Sequence, residues 1–287
     1  MFLLGLVYVV LIAVLIAAGA GVVMVALIAA GLFLVQLFTA DKIALASMGA
    51  HAVSAEEAPQ LHAIVERLCI QANLPMPKLA IADTPMPNAF AVGRTPSLST
   101  VCVTTGLLRP GLLTQSELES VLAHELTHIA NHDVALMTFA SFFASIASFI
   151  VQFGFFFGGG FGGGNRNSNN NDGPGFAVVI LVSGLVYTIS FVLLQALSRY
   201  RELAADRGSA IITGRPSALI SALTKISDGM GQIPQRDLRS ASGELAAFYI
   251  FPPKAKQTVA GLFSTHPSLE QRIAALERYE AQLQGTA

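Results

Sequence analysis

The stretch VLAHELTHIANHD, residues 121–133, decides how the rest of the chain is interpreted. It places His124 and His128 four residues apart, so that both imidazoles lie on one face of a predicted helix within reach of one cation. Glu125 stands one step round the helix axis. The spacing His-Glu-x-x-His is typical of a zinc site. The alternative is an exposed helix face that carries two solvated histidines.

The composition restricts the class of protein that carries this stretch. Hydrophobic residues make up 53% of the 287 residues and charged residues 12%, about half the charged share of soluble domains, so much of the surface is expected to face lipid. The net charge of -1 provides no basic surface for nucleic acid, and no nucleic-acid partner is expected. Cys69 and Cys102 lack the spacing of a disulfide framework and are interpreted as buried thiols.

Long uncharged segments predict four transmembrane helices. Residues 1–40 contain no charged side chain. One helix of that length would measure roughly 60 Å against a hydrocarbon core of roughly 30 Å, so we expect two short spans that turn near residues 19–21. Whether both are full spans stays open. A second pair is predicted at 134–157 and 176–197, separated by a Gly/Asn-rich loop at 158–175 that is interpreted as a spacer.

The predicted organisation alternates membrane and soluble parts. Its divisions are an N-terminal transmembrane hairpin at 1–40, a first part of a soluble domain at 41–133, a second transmembrane pair at 134–197 and a second soluble part at 198–287. An even number of spans leaves both soluble parts on one side. Sixteen of the seventeen Lys and Arg residues lie in those parts, and Arg199, Arg201 and Arg207 directly follow the last span. This bias predicts a multi-pass plasma-membrane protein whose soluble parts lie in the cytoplasm.

Each soluble part has its own secondary-structure pattern. In the first, a helix is expected after Ser54, which forms a capping box with Glu57, and a second helix after Thr114. The apolar residues of the first helix recur at helical spacing: Leu61, Ile64, Val65, Leu68 and Cys69. Three short runs predict a small sheet: KLAIAD, NAFAVG and TVCVTTGLL. The second soluble part is expected to be mostly helical.

A zinc site with two histidines needs a third ligand from elsewhere in the chain. The segment LSRYRELAADRGSA, residues 197–210, carries Glu202 and Asp206 one helical turn apart. Glu202 would complete a site of two histidines and one glutamate, and Asp206 would accept the other ring N–H of a ligand histidine. On spacing alone, the alternative is that both acids pair with arginines of the same segment on a solvated face.

Four motifs recur together in this chain: HELTHIANHD at 124–133, SRYRELAADRGSA at 198–210, PNAFAVG at 87–93 and STHPSLEQRI at 264–273. Their combination and order resemble the HtpX-type heat-shock membrane peptidases, relatives of the CaaX prenyl endopeptidases. The resemblance implies a mainly α membrane protein with four transmembrane helices. It also implies a cytoplasmic α+β, gluzincin-like zinc peptidase domain that contains a small sheet.

The resemblance assigns roles to residues at matching positions. It implies His124, His128 and Glu202 as ligands of one Zn²⁺ per chain. Glu125 would be the general base. Asp206 would take the orienting role described above.

Two further segments receive roles from the same resemblance. NAFAVG would form an edge strand to which an extended substrate pairs through its main chain, and the alternative is an ordinary strand. The substrate-strand residues would be Asn88, Ala89, Phe90, Ala91 and Val92. The STHP segment would return to the active site, where His266 and Arg272 are candidates for binding the oxyanion. His266 is equally interpretable as a helix-entry residue before Pro267.

The predicted function is a zinc-dependent membrane-bound endopeptidase that hydrolyses misfolded or damaged membrane proteins in quality control under stress. Its predicted partners are the lipid bilayer and protein substrates, and the oligomeric state is left open. One alternative is a catalytically silent membrane scaffold that retains the zinc motif, and another is a metal-handling membrane protein. Glu125 favours the enzyme over the scaffold, because a scaffold needs no base that is not a ligand. The predicted spans contain no acidic or histidine side chain, which disfavours an ion path.

Overall fold

The structure of the protein, a computed structural model, describes residues 22–138, 173–231 and 266–285. In chain order the elements are α1 (Val22–Ser47), β1 (Ala50–Ala52), α2 (Pro59–Ala72), β2 (Lys78–Ala82), β3 (Ala89–Val92), a 3₁₀ turn (Pro96–Leu98), β4 (Thr100–Thr104), α3 (Gln115–Ala130), α4 (Gly173–Thr213), α5 (Pro216–Gly231) and α6 (Leu269–Leu283). The expectation of a mostly helical fold with a small sheet is confirmed.

The chain divides into two units. The described residues of the first unit are 22–38, 137–138 and 173–194, and those of the second are 39–136, 195–231 and 266–285. Among the helices that the structure describes, none combines the length and the apolar character that a membrane crossing requires. The four transmembrane helices therefore stay a prediction. Much of the first pair, most of the third span and nearly all of the Gly/Asn-rich loop lie outside the described residues.

The second unit contains a four-stranded mixed sheet in the order β1-β2-β4-β3. β2 and β4 run parallel, and the two outer strands pair antiparallel to them. The three predicted strands are confirmed. β1 was not predicted, because its three residues, Ala-His-Ala, have neither the length nor the β-branched character of a strand signal. β3 pairs only with β4 among the described strands, which places NAFAVG at an edge of the sheet.

Helix α2 packs against α3 and shares a hydrophobic core with residues of β2 and β4, and all five of its predicted apolar residues are buried. The predicted start of this helix is wrong. Ser54 and Glu57 do exchange the hydrogen bonds of a capping box, but they close a separate turn. The helix begins at Pro59, whose fixed φ suits a first helical position and whose missing N–H costs nothing there.

Helix α4 packs directly on α3 because a glycine lies at the crossing. A Cβ atom on Gly208 would stand 2.3 Å from Cγ2 of Thr127 and 2.5 Å from its Oγ1. One residue further, Ser209 Oγ donates a hydrogen bond of 2.7 Å to the carbonyl of Ser120. Small residues thus let the two backbones approach, and the approach brings Glu202 on α4 to the histidine face of α3.

Candidate metal centre

The histidine pair lies on the buried face of α3. Its N-terminus is fixed by the predicted capping box of Thr114 and Glu117. His124 is 3% exposed and His128 is 9% exposed, so the alternative of two solvated histidines is wrong. Their Nε2 atoms stand 3.2 Å apart, as expected for side chains one helical turn apart that point to the same place.

Glu202 reaches this pair from α4. Its Oε2 lies 3.6 Å from Nε2 of His124, and its Oε1 lies 3.6 Å from Nε2 of His128. The three residues each offer one ligand atom, and these atoms all lie within 4.8 Å of one another. Glu202 is 6% exposed, so the alternative that it pairs with arginines on a solvated face does not hold.

The outer ring nitrogens of both histidines meet carboxylates. Nδ1 of His124 lies 2.9 Å from Oδ1 of Asp206, and Nδ1 of His128 lies 2.6 Å from Oδ2 of Asp133. An ionised carboxylate only accepts, so each Nδ1 donates and each Nε2 keeps a lone pair. When both rings are neutral, the two lone pairs and the carboxylate of Glu202 converge on one place. A cation would complete this arrangement, and the donor set of imidazoles and one carboxylate suits zinc.

Arg272 and His266 also reach the cluster. Arg272 is 1% exposed, and its guanidinium forks to Asp206, with Nε donating to Oδ2 at 2.8 Å and Nη2 to Oδ1 at 2.5 Å. Its Nη1 lies 3.8 Å from Oε2 of Glu202, and Nδ1 of His266 lies 3.5 Å from the same oxygen. Arg272 therefore engages the carboxylate that orients His124. Oxyanion binding by His266 and Arg272 stays a prediction.

The electrostatics favour positive charge at the centre. Burial lowers the pKa of His124, but hydrogen bonds to Asp206 and Glu202 outweigh burial and raise that pKa to about 9. Burial raises the pKa of Glu202, yet hydrogen bonds from His124 and His266 hold it well below the usual value. The carboxylate of Glu202 therefore stays ionised, as a metal ligand must.

Glu125 is buried beside the candidate ligands, at 4% exposure. Burial raises its pKa, and the charges of His124 and His128 offset that effect only in part. The cluster comprises four buried carboxylates, those of Glu125, Asp133, Glu202 and Asp206, together with the buried guanidinium of Arg272 and the partly buried guanidinium of Arg201. With neutral histidines and ionised acids its formal charge is -2, which a divalent cation neutralises. The residues present thus fit a Zn²⁺ ion in number, kind and charge.

The predicted substrate strand contacts the helix that carries the two histidines. β3 packs against α3 at the edge of the sheet. Asn88, which directly precedes β3, is fully buried, and its N–H donates to Oγ1 of Thr104 at 2.8 Å. Ala91 is half-buried, while its neighbours in the strand are buried. The structure thus brings β3 and α3 together, and the pairing of a substrate with β3 stays a prediction.

Sequence reasoning missed Asp133 and Arg201. Nε of Arg201 lies 3.3 Å from Oδ2 of Asp133, which is the oxygen that accepts from His128. Five residues separate Asp133 from His128, a spacing that does not share a helix face. For Asp133, the sequence signal that could have been used is the pair Asn131 and His132, which directly precedes it and favours a helix end.

Sequence comparison identifies the family of this chain. The sequence profile described as Peptidase family M48 matches residues 55–280. The chain belongs to this peptidase family. As a family member it is a metalloprotease.

Relatives extend the match to nearly the whole chain. It is 52% identical over 284 residues to the "Protease HtpX homolog" of Moorella thermoacetica, which covers 99% of this chain and 93% of the relative. It is 48% identical over 283 residues to "Protease HtpX homolog 2" of Methanosarcina acetivorans, with 99% and 94% covered. It is also 49% identical over 284 residues to "Protease HtpX homolog 1" of Streptomyces coelicolor, with 99% and 91% covered. The HtpX resemblance is therefore confirmed.

A solved structure shares the fold of this M48 protein. The crystal structure of S. mikatae Ste24p superposes with a TM-score of 0.57 at 18% identity, over 87% of this chain. The chain spans 57% of the length of that protein. The similarity therefore supports the architecture of the M48 fold and leaves the chemistry to the residues described above.

Proposed function

We propose that this M48 protein is a zinc-dependent, membrane-bound endopeptidase that cleaves misfolded or damaged membrane proteins. The observation that carries the proposal is the buried convergence of His124, His128 and Glu202, with Glu125 beside them. A purely structural metal site has no use for a buried carboxylate that is not a ligand. Glu125 therefore favours the enzyme over the scaffold.

Each residue of the centre has a role in the proposed reaction. His124, His128 and Glu202 hold the zinc ion, which when bound supplies Lewis acidity that polarises a peptide carbonyl and activates water. Glu125 takes a proton from the attacking water and delivers it to the leaving amine. Its raised pKa suits both tasks, because a base that is too weakly basic neither accepts the proton nor holds it until the amine departs.

The substrate is proposed to bind as an extended strand along β3. The edge of the sheet lies beside α3, which carries the proposed ligands and base. Main-chain pairing at an edge accepts varied sequences, since side chains contribute little to it. Peptides methylated at one backbone nitrogen test this step. We expect a raised KM for methylation at a pairing position, and equal KM values for every methylated position would contradict the proposal.

The membrane setting rests on the uncharged segments of the sequence and the arginines that follow the last of them. Four transmembrane helices would hold the peptidase domain at the cytoplasmic face of the plasma membrane, where exposed segments of misassembled membrane proteins come within reach. Protease accessibility of the soluble parts in inside-out and right-side-out vesicles measures the orientation. Protection of these parts in inside-out vesicles would reverse it.

The decisive experiment compares Glu125→Gln with wild type, both full-length, zinc-loaded and purified in detergent. With an unfolded membrane polypeptide or a casein-like substrate, we expect kcat to fall about 10²- to 10⁴-fold while one zinc per chain is retained. Glu119→Gln is the matched control, because it makes the same change on the same helix at a residue that pairs with Arg67. Equal cleavage by Glu125→Gln and wild type would reject the assigned base.

A further inference from the structure

The residue His128 is connected to α4 by a chain of polar contacts. Its Nδ1 donates to Oδ2 of Asp133 at 2.6 Å, and Nε of Arg201 lies 3.3 Å from the same oxygen. The Asp133 side chain is 3% exposed and that of Arg201 is 15% exposed. Arg201 therefore provides a cationic partner for this buried carboxylate.

The second histidine has a chain of the same kind. His124 donates to Asp206, which is held by the fork of Arg272. Both histidines are therefore oriented by a carboxylate, and both carboxylates are contacted by an arginine. Because the two chains match in chemistry, a role for one in holding the metal centre points to the same role for the other.

A local break in the helix makes the contact of Asp133 possible. On a continuous helix, five residues correspond to about 140° of rotation, so Asp133 would point away from His128. The chain instead leaves α3 after Ala130, and His132 adopts φ 56°, a left-handed conformation that residues other than glycine rarely adopt. This turn brings the carboxylate of Asp133 back to the ring.

Arg201 lies next to Glu202 in the sequence, and this adjacency gives the contact a second consequence. Arg201 contacts Asp133, three residues after the end of α3, while its neighbour Glu202 faces the histidines on α3. Arg201 and Glu202 together therefore restrain α4 relative to α3 at the place where Glu202 meets the histidines. A change at Arg201 should disturb both the ring of His128 and the reach of Glu202.

We propose that Asp133 and Arg201 are positioning residues. They set the tautomer and ring orientation of His128 and the position of Glu202 relative to the two histidines. The inference rests on the proposed zinc site. Asp133 fixes the proton on Nδ1, which leaves Nε2 free to bind the metal. Arg201, whose Nε lies 3.3 Å from the same oxygen, holds the Asp133 carboxylate in place beside the ring.

The test measures metal affinity separately from activity. Full-length variants in detergent are titrated with Zn²⁺ against a chromophoric chelator, and the visible spectrum of the Co²⁺-substituted protein reports ligand geometry. We expect Asp133→Ala to weaken zinc binding roughly 10- to 100-fold and to shift the cobalt spectrum. Asp133→Asn, which still accepts the hydrogen bond, should recover most of the affinity.

Arg201→Ala provides a second route that leaves the carboxylate in place. We expect it to weaken zinc binding several-fold, with partial recovery in Arg201→Lys. Arg207→Ala is the matched control, since this exposed arginine is six residues further along α4. Asp228→Ala on α5 controls for loss of an aspartate. The thermal midpoints of the metal-free variants show whether each one folds.

The outcomes separate the two proposals. Wild-type protein that binds no zinc would overturn the proposed function and this inference together. Wild-type protein that binds zinc, with Asp133→Ala and Arg201→Ala binding equally tightly and keeping the wild-type cobalt spectrum, would overturn the inference alone. Weakened binding in the two variants with normal binding in Arg207→Ala and Asp228→Ala would establish it.

Discussion

Substitution of Gly208 tests whether the close packing of α4 on α3 is what assembles the metal centre. In Gly208→Ala the new Cβ atom would lie 2.3 Å from Cγ2 of Thr127, 2.5 Å from its Oγ1 and 2.9 Å from its Cβ. Ordinary carbon contacts are about 3.5–4.0 Å. Thr127 is buried and donates to the carbonyl of Ala123, so its side chain has little freedom to move away.

The magnitude follows from these contacts. Overpacking of this kind costs about 1–3 kcal/mol, and the exchange of glycine for alanine within a helix returns about 1 kcal/mol. The net loss of stability should therefore be about 0–2 kcal/mol. The overlap exceeds about 1 Å, whereas metal–ligand distances tolerate only about 0.2 Å. We therefore expect zinc affinity to fall at least roughly tenfold while the protein remains folded.

The assay pairs zinc titration with thermal unfolding of the metal-free protein. Gly184→Ala is the matched control on the same helix, because nothing lies within 4 Å of a Cβ atom at Gly184. Adding Thr127→Ala to Gly208→Ala removes the two closest atoms and should restore part of the affinity. Wild-type zinc affinity in Gly208→Ala would refute the claim that this contact sets the distance from Glu202 to the histidines.

Three further predictions concern residues around the centre. His266→Ala should lower kcat about 10²-fold with zinc stoichiometry unchanged if His266 binds the oxyanion, and an unchanged kcat would exclude that role. Burial raises the pKa of Glu117, but hydrogen bonds from Lys225 and its neighbours lower it to about 2. Glu117→Gln should therefore lose about 1–2 kcal/mol of stability above pH 4.5, a deficit that shrinks as the pH falls towards 2 in thermal unfolding. Burial raises the pKa of Cys69 to about 11 and of Cys102 to about 12, so neither thiol should react with iodoacetamide at pH 8 until the protein unfolds.

Local signals in the sequence identify the parts of the fold that depend on neighbouring residues. The capping box of Thr114 and Glu117 marks the start of α3, and the four-residue spacing of His124 and His128 gives the shared face. Both follow from the geometry of a helix, which any short window of sequence contains. The three longer strands are marked by apolar and β-branched residues between turn signals for the same reason.

The sequence does not reveal contacts that depend on irregular backbone or on packing. Asp133 was missed because its contact with His128 requires the left-handed residue His132. The start of α2 was misplaced because Ser54 and Glu57 form the bonds of a cap without a helix following at once. The fork of Arg272 on Asp206 joins residues that are 66 positions apart, a separation that no periodicity encodes.

The polar contacts of the centre also explain how α3, α4 and α6 are held together. Arg272 joins α6 to Asp206 on α4, and Asp206 in turn joins α4 to His124 on α3. Each link is buried, and each contains a carboxylate whose charge must be balanced. The fork of Arg272 on Asp206 pairs a guanidinium with a carboxylate and adds to the packing of α6 against α5. Asp206 therefore both accepts from the proposed ligand His124 and binds Arg272 of α6, so we expect occupancy of the centre and the docking of α6 to be energetically coupled.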